Sequence, residues 1–101
     1  MEQEMERTMT SADFDRRARE AVRDVCFRYY KRKPDVAKMQ FVWYAHVLGN
    51  KKAILIVPEM QNRMFEVTYN LKDDEMYVDE YEKKTNSAFV VSSEDSEHIL
   101  F

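Results

Sequence analysis

The sequence predicts an α+β fold: one N-terminal amphipathic helix packed on a four- or five-stranded antiparallel sheet, laid out as a meander of hairpins. Two observations predict it. Apolar side chains recur at helical spacing over residues 11–31, ahead of every β-rich run in the chain. Residues 41–57 and 65–81 then each divide into two such runs around a polar turn, the pattern of consecutive hairpins.

The helix signal has both ends. Thr10 followed by Asp13 is similar to a capping box with the shorter acid. Phe14, Ala18, Ala21, Val22, Val25, Cys26 and Tyr29 line one side, while Arg16, Arg17, Glu20, Arg23, Asp24 and Arg28 line the other. Glu20–Arg23 and Asp24–Arg28 stand at spacings where opposite charges meet. Lys31, Arg32 and Lys33 suit the negative end of the helix dipole, and Pro34 stops the helix.

After a connector at 35–38, Phe41, Trp43, Ala45 and Val47 alternate with Val42, Tyr44, His46 and Leu48, a run apolar on both sides. Gly49-Asn50, which uses the only glycine, reads as a hairpin turn. Residues 53–57 return as a second strand, ended by Pro58. Strands apolar on both faces are expected to lie centrally, or between the helix and a partner. Residues 64–70 form the third strand, Lys72-Asp73-Asp74 the next turn, and residues 75–81 the fourth, with Met76 and Val78 opposed to Tyr77, Asp79 and Tyr81. Residues 88–91 are a candidate short fifth strand. The resulting organisation is a flexible lead-in at 1–9, a single domain at 10–91 and an acidic tail at 92–101, for which disorder is an open reading.

Composition narrows the function classes. A chain of 101 residues with 45% apolar and 13% aromatic content can build one core and is not a disordered polymer. Its apolar run at residues 53–57, five long and exceeded by no other, is far short of a bilayer span, and residues 1–10 lack the apolar block of a secretory signal. The lone cysteine, Cys26, excludes an internal disulfide and points to a cytoplasmic protein. The net charge of -3 hides a split: ten basic and eight acidic residues up to Lys38, then six basic and eleven acidic. That balance argues against direct nucleic-acid binding. The Arg-rich helix face (Arg16, Arg17, Arg19, Arg23) is interleaved with acids and reads as a salt-bridged surface.

No catalytic or metal constellation emerges, so no enzyme activity and no cofactor are expected. His46 and His98 lack neighbouring ligands, and Cys26 lacks a paired base. Glu66, Asp79 and Glu80 would converge if the third and fourth strands pair, although acids on a solvated sheet face are common. The aromatic content is more informative. One helix covers one side of a sheet, so some tyrosines must face water or a partner, where they make good anchors.

The blocks Phe65-Glu66-Val67-Thr68-Tyr69-Asn70 and Tyr77-Val78-Asp79-Glu80-Tyr81, preceded by Phe41-Val42-Trp43-Tyr44 and Lys52-Ala53-Ile54-Leu55, carry a resemblance over about residues 40–84. The chain resembles a family of small uncharacterised proteins encoded by phages and prophages of Gram-positive bacteria. The resemblance implies a phage origin and a host-cell cytoplasmic setting, and it carries over no catalytic residue.

The function expected from this reading is binding, by a small accessory protein, to a host or phage protein. Its surface would be the acidic hairpin (Asp73, Asp74, Glu75, Asp79, Glu80 and Glu82) with Tyr69, Tyr77 and Tyr81. The alternative is a nucleotide or small-metabolite pocket between helix and sheet, walled by Trp43, Tyr44 and Tyr69. A homodimer is a further expectation, through an uncovered apolar sheet face or an open edge at residues 65–70. No membrane association is expected.

Overall fold

A computed structural model describes residues 9–92. The lead-in at residues 1–8 and the tail at 93–101 lie outside the described residues. Helix α1 (Ser11–Tyr30) is followed by a single 3-10 turn (Val36–Lys38) and four strands: β1 (Gln40–Val47), β2 (Asn50–Ile56), β3 (Arg63–Asn70) and β4 (Glu75–Glu82). They form one antiparallel sheet in the order β1-β2-β3-β4, a pure meander. The helix lies across one face only.

The side chain of Thr10 accepts a hydrogen bond from Asp13 N at 3.0 Å, capping the first turn of α1. Phe14, Ala18, Val22 and Cys26, each four residues apart, are the buried stripe. The helix ends at Tyr30, one residue before the expected end. Lys31 is left-handed at φ 59 and supplies the reversal that glycine usually makes. Of the expected charge pairs, Glu20–Arg23 and Asp24–Arg28 do not form; Arg16 instead joins Asp13 and Glu20, and Arg19 joins Asp15. Arg19 also donates to the carbonyls of Val36 and Met39, both at 2.7 Å, and lies over the Phe41 ring. One side chain thus ties the connector to the helix.

The core joins the helix stripe to Ala53, Leu55 and Val57 from β2 and its end, and to Phe65, Val67 and Tyr69 from β3. Met60, in the loop after β2, closes it beside Cys26, with the two sulfurs 3.3 Å apart. Lys51 is buried at 2% exposure, and its Nζ lies 3.3 Å from His46 Nε2.

Four expectations are corrected. β1 is an edge strand rather than a central one, and its register shifts between Phe41 and Trp43, leaving Val42 as a bulge. The bulge turns both Phe41 and Tyr44 onto the helix side, where Phe14 meets their rings at 6.5 and 5.8 Å. The first hairpin loop is Leu48-Gly49, both at positive φ, because Val47 already pairs with Asn50. Lastly, residues 65–70 are not an open edge, since β3 is paired on both sides, and residues 88–91 are not a strand.

Candidate functional site

Alternation along the strands decides which residues stand on the uncovered face. Trp43 of β1 is in register with Ile54 of β2, Ile54 with Glu66 of β3, and Glu66 with Asp79 of β4. A parallel row runs Ala45, Lys52, Thr68 and Tyr77. Ile56, Met64 and Tyr81 complete the face at one end. Trp43 remains 48% exposed, and Tyr77, Tyr81 and Met64 are similarly open. The two sequence blocks that carry the family resemblance therefore place Glu66, Thr68, Tyr77, Asp79 and Tyr81 on this one surface.

Polar contacts order the face. Tyr81 OH donates to Glu66 Oε1 at 3.1 Å, and Lys52 Nζ lies 3.5 Å from Glu66 Oε2. Tyr77 OH donates to Glu75 Oε1. Each bond to a carboxylate stabilises the neutral phenol and pushes its pKa up, further from any role as a base near neutral pH. Glu66 and Asp79 are directly opposite across the ladder, a like-charge arrangement that costs stability. Lys52 offsets Glu66, whereas no cation is paired with Asp79 among the described residues.

The acidic hairpin does not act as one surface. Glu75 and Asp79 are on the open face. Asp73 and Asp74 form the turn, where Asp74 accepts from Tyr69 OH at 2.8 Å. Glu80 and Glu82 share the parity of Met76 and Val78 and point to the helix side. Glu80 is engaged there, accepting from Arg63 at 2.5 Å and from Tyr30 OH at 2.6 Å. Those bonds to Glu80 raise the pKa of both the Arg63 guanidinium and the Tyr30 phenol. Tyr69 is buried, and burial followed by the Asp74 bond raises its pKa as well. The expected convergence of Glu66, Asp79 and Glu80 thus reduces to the Glu66–Asp79 pair.

Trp43, Tyr44 and Tyr69 do not wall one pocket. Trp43 is on the open face, while its neighbour Tyr44 packs on Phe14 and reaches Ser11 Oγ at 3.4 Å. A groove of ≈ 740 Å³ opens instead at the end of the sheet, where Ile56, Pro58, Met64 and Tyr81 give an apolar lining. Cys26 is fully buried, and burial pushes its thiol up to about 11, so it is no activated nucleophile. Among the described residues, no three His, Cys, Asp or Glu side chains gather as a metal site would need. Nor, among those residues, is any helix long and apolar enough to cross a membrane.

Sequence reasoning found Tyr77, Tyr81, Glu75 and Asp79, and missed Lys52, Ile54, Ile56 and Met64 as members of the same face. The signal was present in the i, i+2 spacing of Lys52, Ile54 and Ile56. It was hidden because β2 is apolar in both phases.

Fold and surface together define a two-layer α+β protein with one sheet face left open. By sequence, residues 16–91 match the model of a family of unknown function, DUF6275, and the chain belongs to that family. No curated protein and no solved structure matches the chain.

Proposed function

We propose that the protein acts by binding, with the open face of its sheet as the contact surface for another protein. The observation that carries this reading is one-sided coverage: α1 seals one face, and the other keeps Trp43, Ile54, Ile56, Met64, Tyr77 and Tyr81 together and only partly covered. Aromatic anchors beside aliphatic side chains make effective interface centres. The opposed Glu66 and Asp79 define the partner's charge. An arginine or lysine flanked by apolar side chains would relieve their repulsion while burying Trp43 and Tyr77. The resemblance to phage and prophage proteins supports a setting in a bacterial cytoplasm, with a host or phage protein as the target. In this reading the acids of the turn, Asp73 and Asp74, steer association without being buried.

The test is affinity capture from a bacterial lysate, followed by measured affinity for the captured protein. Trp43→Ala and Asp79→Asn should each weaken binding about 30-fold, the ~2 kcal/mol of a hot-spot side chain. Asp73→Asn should act mainly through its salt dependence. Capture that is indifferent to all three substitutions would sink the proposal.

A further inference from the structure

The residues after β4 carry a second apolar surface that the fold leaves uncovered. Phe89 is 79% exposed, Val90 63% and Val91 85%, and residues 83–92 contain neither strand nor turn. Three consecutive large apolar side chains standing in water are a feature that folded domains ordinarily avoid. They belong to the family's shared region, because the match runs to residue 91.

This arm departs from the rim of the ≈ 740 Å³ groove, which Glu82 and Lys83 themselves help to line. Such a volume is ample for several apolar side chains. The arm's own residues 88–91 do not line it. Lys83 N donates to Asn62 O at 2.7 Å, so the backbone leaves the sheet still held in the direction of β4. Returning to its own groove would require a reversal within residues 84–87, where the chain makes none. A second molecule needs no such reversal.

We propose that residues 88–91 seat in this groove on a second copy of the chain, reciprocally, giving a closed twofold dimer by exchange of arms. Phe89 is the anchor, received between Pro58, Met64 and Tyr81. Arm and groove are each counted twice by symmetry, which doubles the apolar surface removed from water. The groove shares Ile56, Met64 and Tyr81 with the open face, whereas Trp43 and Asp79 do not line it, so substitutions at Phe89 and at Trp43 or Asp79 test the two associations separately.

Sedimentation equilibrium on the full chain tests the exchange. The wild type should be a dimer, and the double substitution Phe89→Asp with Val91→Asp should raise its dissociation constant about 100-fold or more, as loss of an anchor does. Met64→Lys should do the same from the groove side, and unchanged far-ultraviolet circular dichroism separates this from unfolding. Oxidation of a mixture of Phe89→Cys and Pro58→Cys chains should give a disulfide-linked heterodimer. Three results would overturn the proposal: a wild-type monomer at every concentration, a dimer that survives loss of the arm, or a disulfide closing within one chain that carries both cysteines.

Discussion

Two phenylalanines on one helix should differ sharply in what they contribute. Phe14 is fully buried and is the side chain through which α1 meets the Phe41 and Tyr44 rings of β1. Phe27 is 44% exposed, with the Lys31 and Lys33 ammonium groups over its ring at 5.5 and 4.9 Å. Phe14→Ala removes a buried ring and leaves a cavity, at about 4 kcal/mol. Phe27→Ala forfeits two exposed cation–π contacts and little burial, about 1 kcal/mol in all. Both substitutions gain the same helix propensity, so that effect cancels in the comparison. A total stability of about 5–15 kcal/mol makes the first loss a large fraction and the second a minor one. Urea unfolding followed by Trp43, the only tryptophan and a β1 residue, reads both. With a slope of about 1.5 kcal/mol per molar, the midpoints of the two variants should differ by ~2 M. Equal midpoints would mean that Phe14 does not fasten β1 to the helix.

Gly49→Ala should destabilise by about 1–2 kcal/mol in the same assay, because φ +84 disfavours any side chain. The added Cβ would also stand 2.4 Å from Leu71 Cδ2, but that side chain is flexible and can move, so Leu71→Ala should restore little; full restoration would assign the cost to the clash instead. For Cys26, the folded thiol titrates at about 11 against an ordinary 9, so the folded state holds its proton more tightly. Its contribution is complete below pH 9 and is lost as pH rises from there to about 11, reaching about 3 kcal/mol at most. The raised tyrosines act in the same direction, so the measurement is the difference from Cys26→Ala, whose stability should fall less steeply across that window. Identical pH profiles would show that the thiol ionises alike in both states.

The helix and the hairpin order were legible because each rests on a strong local period. Phe14, Ala18, Val22 and Cys26 recur every fourth residue, and polar turns separate the strands. The face assignment within β1 was not legible. Residues 41–47 are apolar in both phases, so alternation there carries no information, and nothing local marks the Val42 bulge. The same two-sided apolarity made an edge strand look central. Parity did hold the answer for the acids: Glu80 and Glu82 are in phase with Met76 and Val78, which removes them from the surface of Tyr77, Asp79 and Tyr81. Tyr69 was misassigned for a comparable reason, since its phase is that of Phe65 and Val67.

A helix about 10 Å across can cover about two strands spaced 4.8 Å apart. Accordingly the sheet's fully buried positions are confined to β2 and β3, while β1 and β4 are at best half covered on the helix side. An antiparallel sheet can leave its other face to water, but such faces alternate to polar side chains. Here the outward positions hold Trp43, Ile54, Ile56, Met64, Tyr77 and Tyr81, with Glu66 set against Asp79 at a cost to the ladder. Neither feature serves the fold. Exchange of arms at the Pro58 end would cover Ile56, Met64 and Tyr81 but leave Trp43, Tyr77 and Asp79 clear on both chains, so the dimer would present two copies of that part of the binding face. A target offering two matching sites would then be held with an avidity far above that of either contact alone. The signature of this coupling is specific: Phe89→Asp, far from Trp43 in sequence and absent from the face, should weaken capture of a bivalent target and leave a monovalent fragment's affinity unchanged.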